Sequence, residues 1–163
     1  MRRGVAILRR FKPEDADWLK RRIDGWDMVE AAMHGIDPWD YVVQAHAKRP
    51  ADPHWTMMDS LTHRPIAIGG IHRYAPRMGR VWMLETRDMR HYRQSWLCLA
   101  RAMLDGYVPN YYDRLDNIVP VGKAPTILFL RRLGFAFGPA FVHTSGISVL
   151  PFWWERGRPE GQR

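Results

Sequence analysis

The order in which the hydrophobic period changes limits this chain more than any other feature. Runs that read as strands and runs with apolar residues every three or four positions follow one another along 163 residues, with turn-forming residues between them. Residues 5–11 read as a first strand, and proline and acids at Pro13-Glu14-Asp15 suit a helix start. Asp27 is placed to cap a second helix, with Met28, Val29, Ala32 and Met33 on one face and Gly35 as its stop. Residues 39–47 form a third helical piece after the Asp37-Pro38 turn.

Residues 54–58 and 65–71 make a hairpin about Thr62-His63-Arg64, and Gly69-Gly70 mark a bulge or a close backbone approach. A loop at 74–79 leads to a strand at 80–86. The strongest helical pattern covers residues 89–106, where Tyr92, Trp96, Leu99, Ala100, Met103 and Tyr107 form one apolar stripe. A short strand at 116–121, a helix opened by Pro125 and closed by Gly134, and strands at 135–137 and 141–150 complete the chain. This order predicts an α/β fold, a single domain over residues 1–154 with a central mixed sheet and helices on both faces. The Gly, Pro, Arg and Glu residues of 155–163 predict a flexible tail.

The net charge is +8 and the sequence pI about 10.1. The arginines are scattered, so this reads as a generally basic surface, with DNA or another polyanion open as a partner. One cysteine, Cys98, excludes an internal disulfide and falls in an apolar helical pattern, which predicts a buried small hydrophobe. No apolar run approaches the roughly 18 residues of a membrane span, and no secretory leader is evident, so cytoplasmic residence is expected. His34, His46, His54, His63, His72, His91 and His143 show no metal-ligand spacing, and no zinc site is expected. Ser95 and Ser145 lie in no nucleophile elbow, and Gly122-Lys123 lacks the rest of a phosphate loop. Trp153-Trp154 either stack on a partner or finish a core edge.

The element order and the run Ala124-Pro125-Thr126-Ile127-Leu128-Phe129-Leu130-Arg131-Arg132-Leu133-Gly134-Phe135 resemble the GNAT acyltransferase superfamily, whose last core helix closes on a similar Leu-x-Gly-Phe ending. A narrower pattern is similar to the bacteriophage group of GNAT-like internal virion proteins. It comprises the acidic, Ala-rich segment from Asp27 to the Gly35-Ile36-Asp37-Pro38 turn, then Pro65-Ile66-Ala67-Ile68-Gly69-Gly70, a strand ending at Thr86, and Asn117-Ile118-Val119. The resemblance covers roughly residues 5–145 and implies a fold, not a site.

The superfamily holds the acyl-CoA pyrophosphate on a turn like Arg-x-x-Gly-x-Gly, whose glycines admit the phosphates to backbone N–H groups. The matching stretch here, Arg87-Asp88-Met89-Arg90-His91-Tyr92-Arg93-Gln94-Ser95, has no glycine. Arg87, Arg90 and Arg93 either bind CoA phosphates by their side chains or form a solvated basic turn. Glu85 matches the position of the general base that the resemblance implies, or else makes a rim salt bridge. The family's tyrosine acid falls at Leu130, and its asparagine at Lys123.

Three functions follow. The first is a non-catalytic phage protein of virion assembly or genome delivery. It would have structural or ejection proteins as partners and would lie in the host cytoplasm during assembly or in the virion. The second is an acetyl-CoA-dependent N-acyltransferase with an arginine-based CoA site. The third is a basic nucleic-acid-binding protein. Neither oligomeric state nor acceptor is legible.

Overall fold

The computed structural model describes residues 4–157. Its strands are β1 (Ala6–Arg10), β2 (His54–Asp59), β3 (Pro65–Ala75), β4 (Met78–Glu85), β5 (Arg114–Pro120), β6 (Ala136–Phe137), β7 (Phe141–Val142) and β8 (Ser148–Glu155). Its helices are α1 (Pro13–Lys20), α2 (Gly25–Met33), α3 (Pro38–Lys48), α4 (Arg93–Ala102), α5 (Val108–Tyr111) and α6 (Ala124–Arg132). The strands form one mixed sheet in the order β1-β2-β3-β4-β5-β8-β6, with β7 also on β8. The fold class is the expected one. The chain divides into two compact units, one of residues up to His72 with Trp82–Leu99, the other of Arg73–Val81 with the residues from Ala100 onward. The divisions fall inside β3, β4 and α4, so no linker marks them in the sequence.

In the first unit, β1 pairs antiparallel with β2 from Ala6↔Asp59 to Arg10↔Trp55, and β2 pairs antiparallel with β3. Phe11, Ala16, Leu19, Val42 and Ile68 build one core cluster with α1 and α3. Ala6, Met57, Ile66, Ala67, Met89 and Tyr92 build another, against which Trp96 and Leu99 of α4 pack. Sheet residues covered on both faces read as a continuous apolar run, as Ile66-Ala67-Ile68 does.

The register irregularity lies between Met57 and Met58, not at Gly69-Gly70. Those glycines serve the close approach instead. A Cβ on Gly69 would stand 2.9 Å from the Trp82 carbonyl oxygen, and one on Gly70 would stand 2.6 Å from that of Pro53.

Asp24, rather than Asp27, caps α2, accepting the Trp26 N–H at 2.9 Å. The helix begins two residues before the expected cap, which turns Asp27 inward and buries it completely. Asp37 caps α3 by accepting from Trp39 and Asp40. Cys98 is exposed, a correction to its expected burial. Two residues beyond Trp96, it stands about 200° round the helix from the apolar stripe.

In the second unit, β4 begins parallel to β5, from Met78↔Arg114 to Arg80↔Asp116. β8 lies antiparallel along all of β5, and Arg114 forms an ion pair with Glu155 at 2.7 Å. Glu155, expected to open the tail, is thus the last residue of β8, and residues 158–163 of that tail lie outside the described residues. The expected strand at 141–150 is two strands, β7 and β8, joined through Gly146 at φ +83°. Trp153 and Trp154 belong to β8, with Trp154 buried.

The expected loop at 74–79 is a tight hairpin. Arg77 takes a positive φ of 57° there, held by Asp113 at 2.7 Å and by the carbonyls of Pro109 and Asn110. The single helix expected over 89–106 is four pieces: a 3₁₀ turn at Arg87–His91, then α4, a π turn at Met103–Tyr107, and α5. Pro109 has no N–H to return to the helix, and Gly106 within the turn weakens it further, so the helix widens ahead of Pro109.

One buried carboxylate ties the hairpin of the first unit together. Asp59 accepts hydrogen bonds from the Tyr92 hydroxyl and from the N–H groups of Gly4, Leu61 and Thr62. Burial pushes its pKa up, but these four donors outweigh burial and hold the carboxyl well below the ordinary carboxylate range. Its stabilisation is therefore complete above about pH 3.8 and is lost as pH falls towards the depressed folded value. Asp59→Asn removes the charge and turns a donor amide towards other donors. The expected loss is about 2–4 kcal/mol, read from the urea midpoint at pH 7. A loss below about 0.5 kcal/mol, the scale of a neutral surface change, would show that the donors do not depend on the charge.

Candidate functional site

Glu85 is half-buried at the C-terminal end of β4. The strand end is clamped by the segment between α1 and α2. Asp24 N–H donates to the Glu85 carbonyl at 2.8 Å, Ile23 bridges Thr86, and Arg87 N–H donates to the Arg22 carbonyl at 3.3 Å. The buried Asp27 carboxylate accepts the Glu85 N–H. Beyond the clamp, Met89 N–H donates to the Thr86 carbonyl and Tyr92 N–H to the Met89 carbonyl. Arg87 and Arg90 stand on the 3₁₀ turn and Arg93 opens α4. All three are exposed.

The structure thus brings the four sequence-predicted residues into one stretch of nine positions, with the arginine side chains outward. This stretch offers a pyrophosphate less of the backbone route than a glycine turn does. The N–H groups of Glu85, Arg87, Met89 and Tyr92 are already donated inside the protein, and bulky side chains replace the glycines. Leu130, at the position of the tyrosine acid that the resemblance implies, is a buried residue of α6 with no proton to give. Lys123, at the asparagine position, is buried at the N-cap of that helix.

Two constellations escaped the sequence pattern. One is a pocket of about 510 Å³ in the first unit, lined in part by Trp18, Arg22, Arg64 and His91. The other is a set of three histidines from α3, β2 and β3. The ring centroids of His46 and His54 lie 5.4 Å apart, and those of His54 and His72 lie 5.7 Å apart. Trp82 packs against His54 and His72, Phe11 against His46, and the Tyr41 hydroxyl meets His72 Nδ1 at 2.7 Å.

No local spacing joins these histidines, because each comes from a different element. The signal available was the period within each element, which places His46, His54 and His72 on inward faces. Among the described residues, no group of three or more His, Cys, Asp or Glu side chains is arranged to hold a metal ion. No helix among them is long and apolar enough to cross a membrane.

The histidine set makes the first unit sensitive to acid. His54 is 5% exposed, and burial lowers its pKa from 6.5. The neighbouring His46 lowers it further, while the Asp52 backbone and carboxylate oppose both. A depressed histidine pKa means that the unfolded chain binds the proton first. Stability is therefore full above about pH 6.5 and declines as pH falls through the window beneath it. The urea midpoint should be lower at pH 5 than at pH 7.5, and His54→Leu should shrink that difference. An unchanged difference in the variant would remove His54 as its cause.

No protein-family model matches the chain, and no curated protein matches its sequence. Solved structures do match its fold. Spermidine N-acetyltransferase from Vibrio cholerae, in complex with CoA and spermine, superposes with a TM-score of 0.69 at 11% identity, over 94% of this chain and 96% of that one. A GNAT-family acetyltransferase from Bacillus anthracis gives 0.69 at 10% identity, over 95% and 97%. Ribosomal-protein-alanine N-acetyltransferase from Brucella melitensis gives 0.64 at 11% identity, over 91% and 99%. The clamped β4 end, the parallel β4–β5 start and the Leu-Gly-Phe close of α6 therefore belong to a chain with the fold of the GNAT acetyltransferases.

Proposed function

We propose that this chain keeps the GNAT fold as a binding scaffold without acyl transfer. Its setting is bacteriophage assembly or genome delivery, and its partners are structural or ejection proteins. The observation that carries the non-catalytic part is the clamp on the end of β4. A cofactor pyrophosphate needs free N–H groups at this turn, and the N–H groups of Glu85 and Arg87 are bonded to Asp27 and Arg22. The apolar Leu130 leaves no proton donor for a leaving thiolate at that position. The phage setting rests on the sequence resemblance. The protein would lie in the host cytoplasm during assembly or in the virion, and its net charge of +8 also suits contact with packaged DNA.

A second reading is acetyl-CoA-dependent N-acyl transfer, with Arg87, Arg90 and Arg93 taking the CoA phosphates through side chains and Glu85 as general base. The exposure of all three arginines within seven positions favours it. So does CoA in the structure of the Vibrio cholerae enzyme of the same fold.

Calorimetric titration with acetyl-CoA separates the two. The scaffold reading expects no binding heat at millimolar ligand. Micromolar binding that weakens at least tenfold in Arg90→Ala/Arg93→Ala would overturn it and establish the arginine-based site.

A further inference from the structure

The pocket of the first unit lies where α1, the β2–β3 hairpin and the 3₁₀ turn after β4 meet. Its lining holds two guanidiniums and two carboxylates, and the two signs are kept apart. Arg22, just past α1, stacks on Trp18 with its guanidinium carbon 3.9 Å from the ring centroid. It also donates to the Trp18 carbonyl at 3.3 Å. Arg64, on the hairpin, approaches the same ring at 5.6 Å. The shared ring keeps the two guanidiniums within about 10 Å, roughly one screening length in physiological salt, so they repel each other. Among the described residues, neither has a carboxylate within 4.0 Å.

The carboxylates that line the pocket keep their charge but stand apart from these two guanidiniums. Asp59 is consumed by the Tyr92 hydroxyl and three backbone N–H groups. Asp88 forms no ion pair with either arginine. Pro65, Ile66 and Trp18 supply an apolar wall. Stacking fixes Arg22 before any ligand arrives, so less side-chain entropy is lost when it binds. A volume of about 510 Å³ exceeds what an inorganic ion fills and falls in the range of small-molecule sites.

We propose that this pocket binds a small organic phosphate monoester, with Arg22 and Arg64 holding the dianion and the apolar wall receiving its organic body. Phosphate is a group that guanidinium forks bind bidentately, and two such forks line this pocket. The site uses none of Arg87, Arg90 or Arg93, and it stands whether or not the chain binds CoA.

The test titrates the full chain calorimetrically with adenosine monophosphate, adenosine and inorganic phosphate. Adenosine monophosphate should bind, inorganic phosphate at least tenfold more weakly, and adenosine without measurable heat. Arg64→Gln, at an exposed turn position where folding is not at stake, should weaken adenosine monophosphate at least tenfold. Arg22→Ala should do the same, while Arg90→Ala/Arg93→Ala should leave it within twofold. Raising the salt concentration should weaken binding of the monophosphate.

No heat from adenosine monophosphate at millimolar concentration would overturn the proposal. Unchanged affinity in Arg64→Gln would also overturn it, as would loss of affinity only in Arg90→Ala/Arg93→Ala. Equal binding of inorganic phosphate and the monophosphate would overturn the role given to the apolar wall.

Discussion

The first unit depends on a few backbone hydrogen bonds between residues 22–24 and 85–87. Asp24 and Arg87 each donate across this gap, and Ile23 and Thr86 form an antiparallel bridge. A two-residue crossing of this kind is weak alone, because each bond has a small net value in water. It gains from what it joins. Residues 22–24 link α1 to α2, and residues 85–87 link β4 to the turn before α4. Asp27 adds a fully buried carboxylate on the Glu85 N–H, and an interior carboxylate is costly unless its oxygens are used. The clamp therefore fixes the exit angle of β4. It also occupies the N–H groups of Glu85 and Arg87 at that exit.

That distinction separates fold from chemistry here. A shape shared with acetyltransferases at 10–11% identity speaks for the sheet and helix order, and an activity has to be argued from donors and acceptors at the site. At the end of β4 the N–H groups of Glu85, Thr86 and Arg87 are occupied and the arginines are exposed. Positive charge persists without the close cradle that glycine allows. Such a surface attracts anions in general. It holds one selectively only where packing fixes the charge, and packing does so at Trp18 and Arg22, not along Arg87–His91.

The fold was largely legible because local periods and global layers agree. Proline at the first turns of α1, α3 and α6, aspartate before α3, and positive-φ glycines after α2 and α6 are cues readable from a single sequence. The misreadings share a cause, which is tertiary context overriding a local signal. Asp27 resembles a cap but is drawn inward by the Glu85 N–H. Residues 74–79 look like a loop, yet Asp113 and two carbonyls hold Arg77 in a turn that closes a hairpin. The candidate stretch at 85–93 was legible as charge, whereas the occupation of its N–H groups was not, since Arg22 and Asp27 lie some sixty residues earlier in the chain. The histidine set and the pocket were invisible for the same reason: each gathers residues from several elements.

The π turn at Met103–Tyr107 bears on the history of the chain's length. A π turn carries one residue more per backbone ring than the α-helix around it, so it is the form an inserted residue takes when a helix absorbs it without breaking. Leu104 and Val108 both remain buried across the turn. Straightening the turn to the ordinary pitch with every residue kept would swing α5 by about 100° about its axis. Tyr107 and Tyr111, which stack at 4.8 Å on the outside, would then no longer share a side with their present surroundings. The bulge acts as a phase adjuster, keeping the face that follows it aligned despite a chain one residue longer than a regular helix would hold.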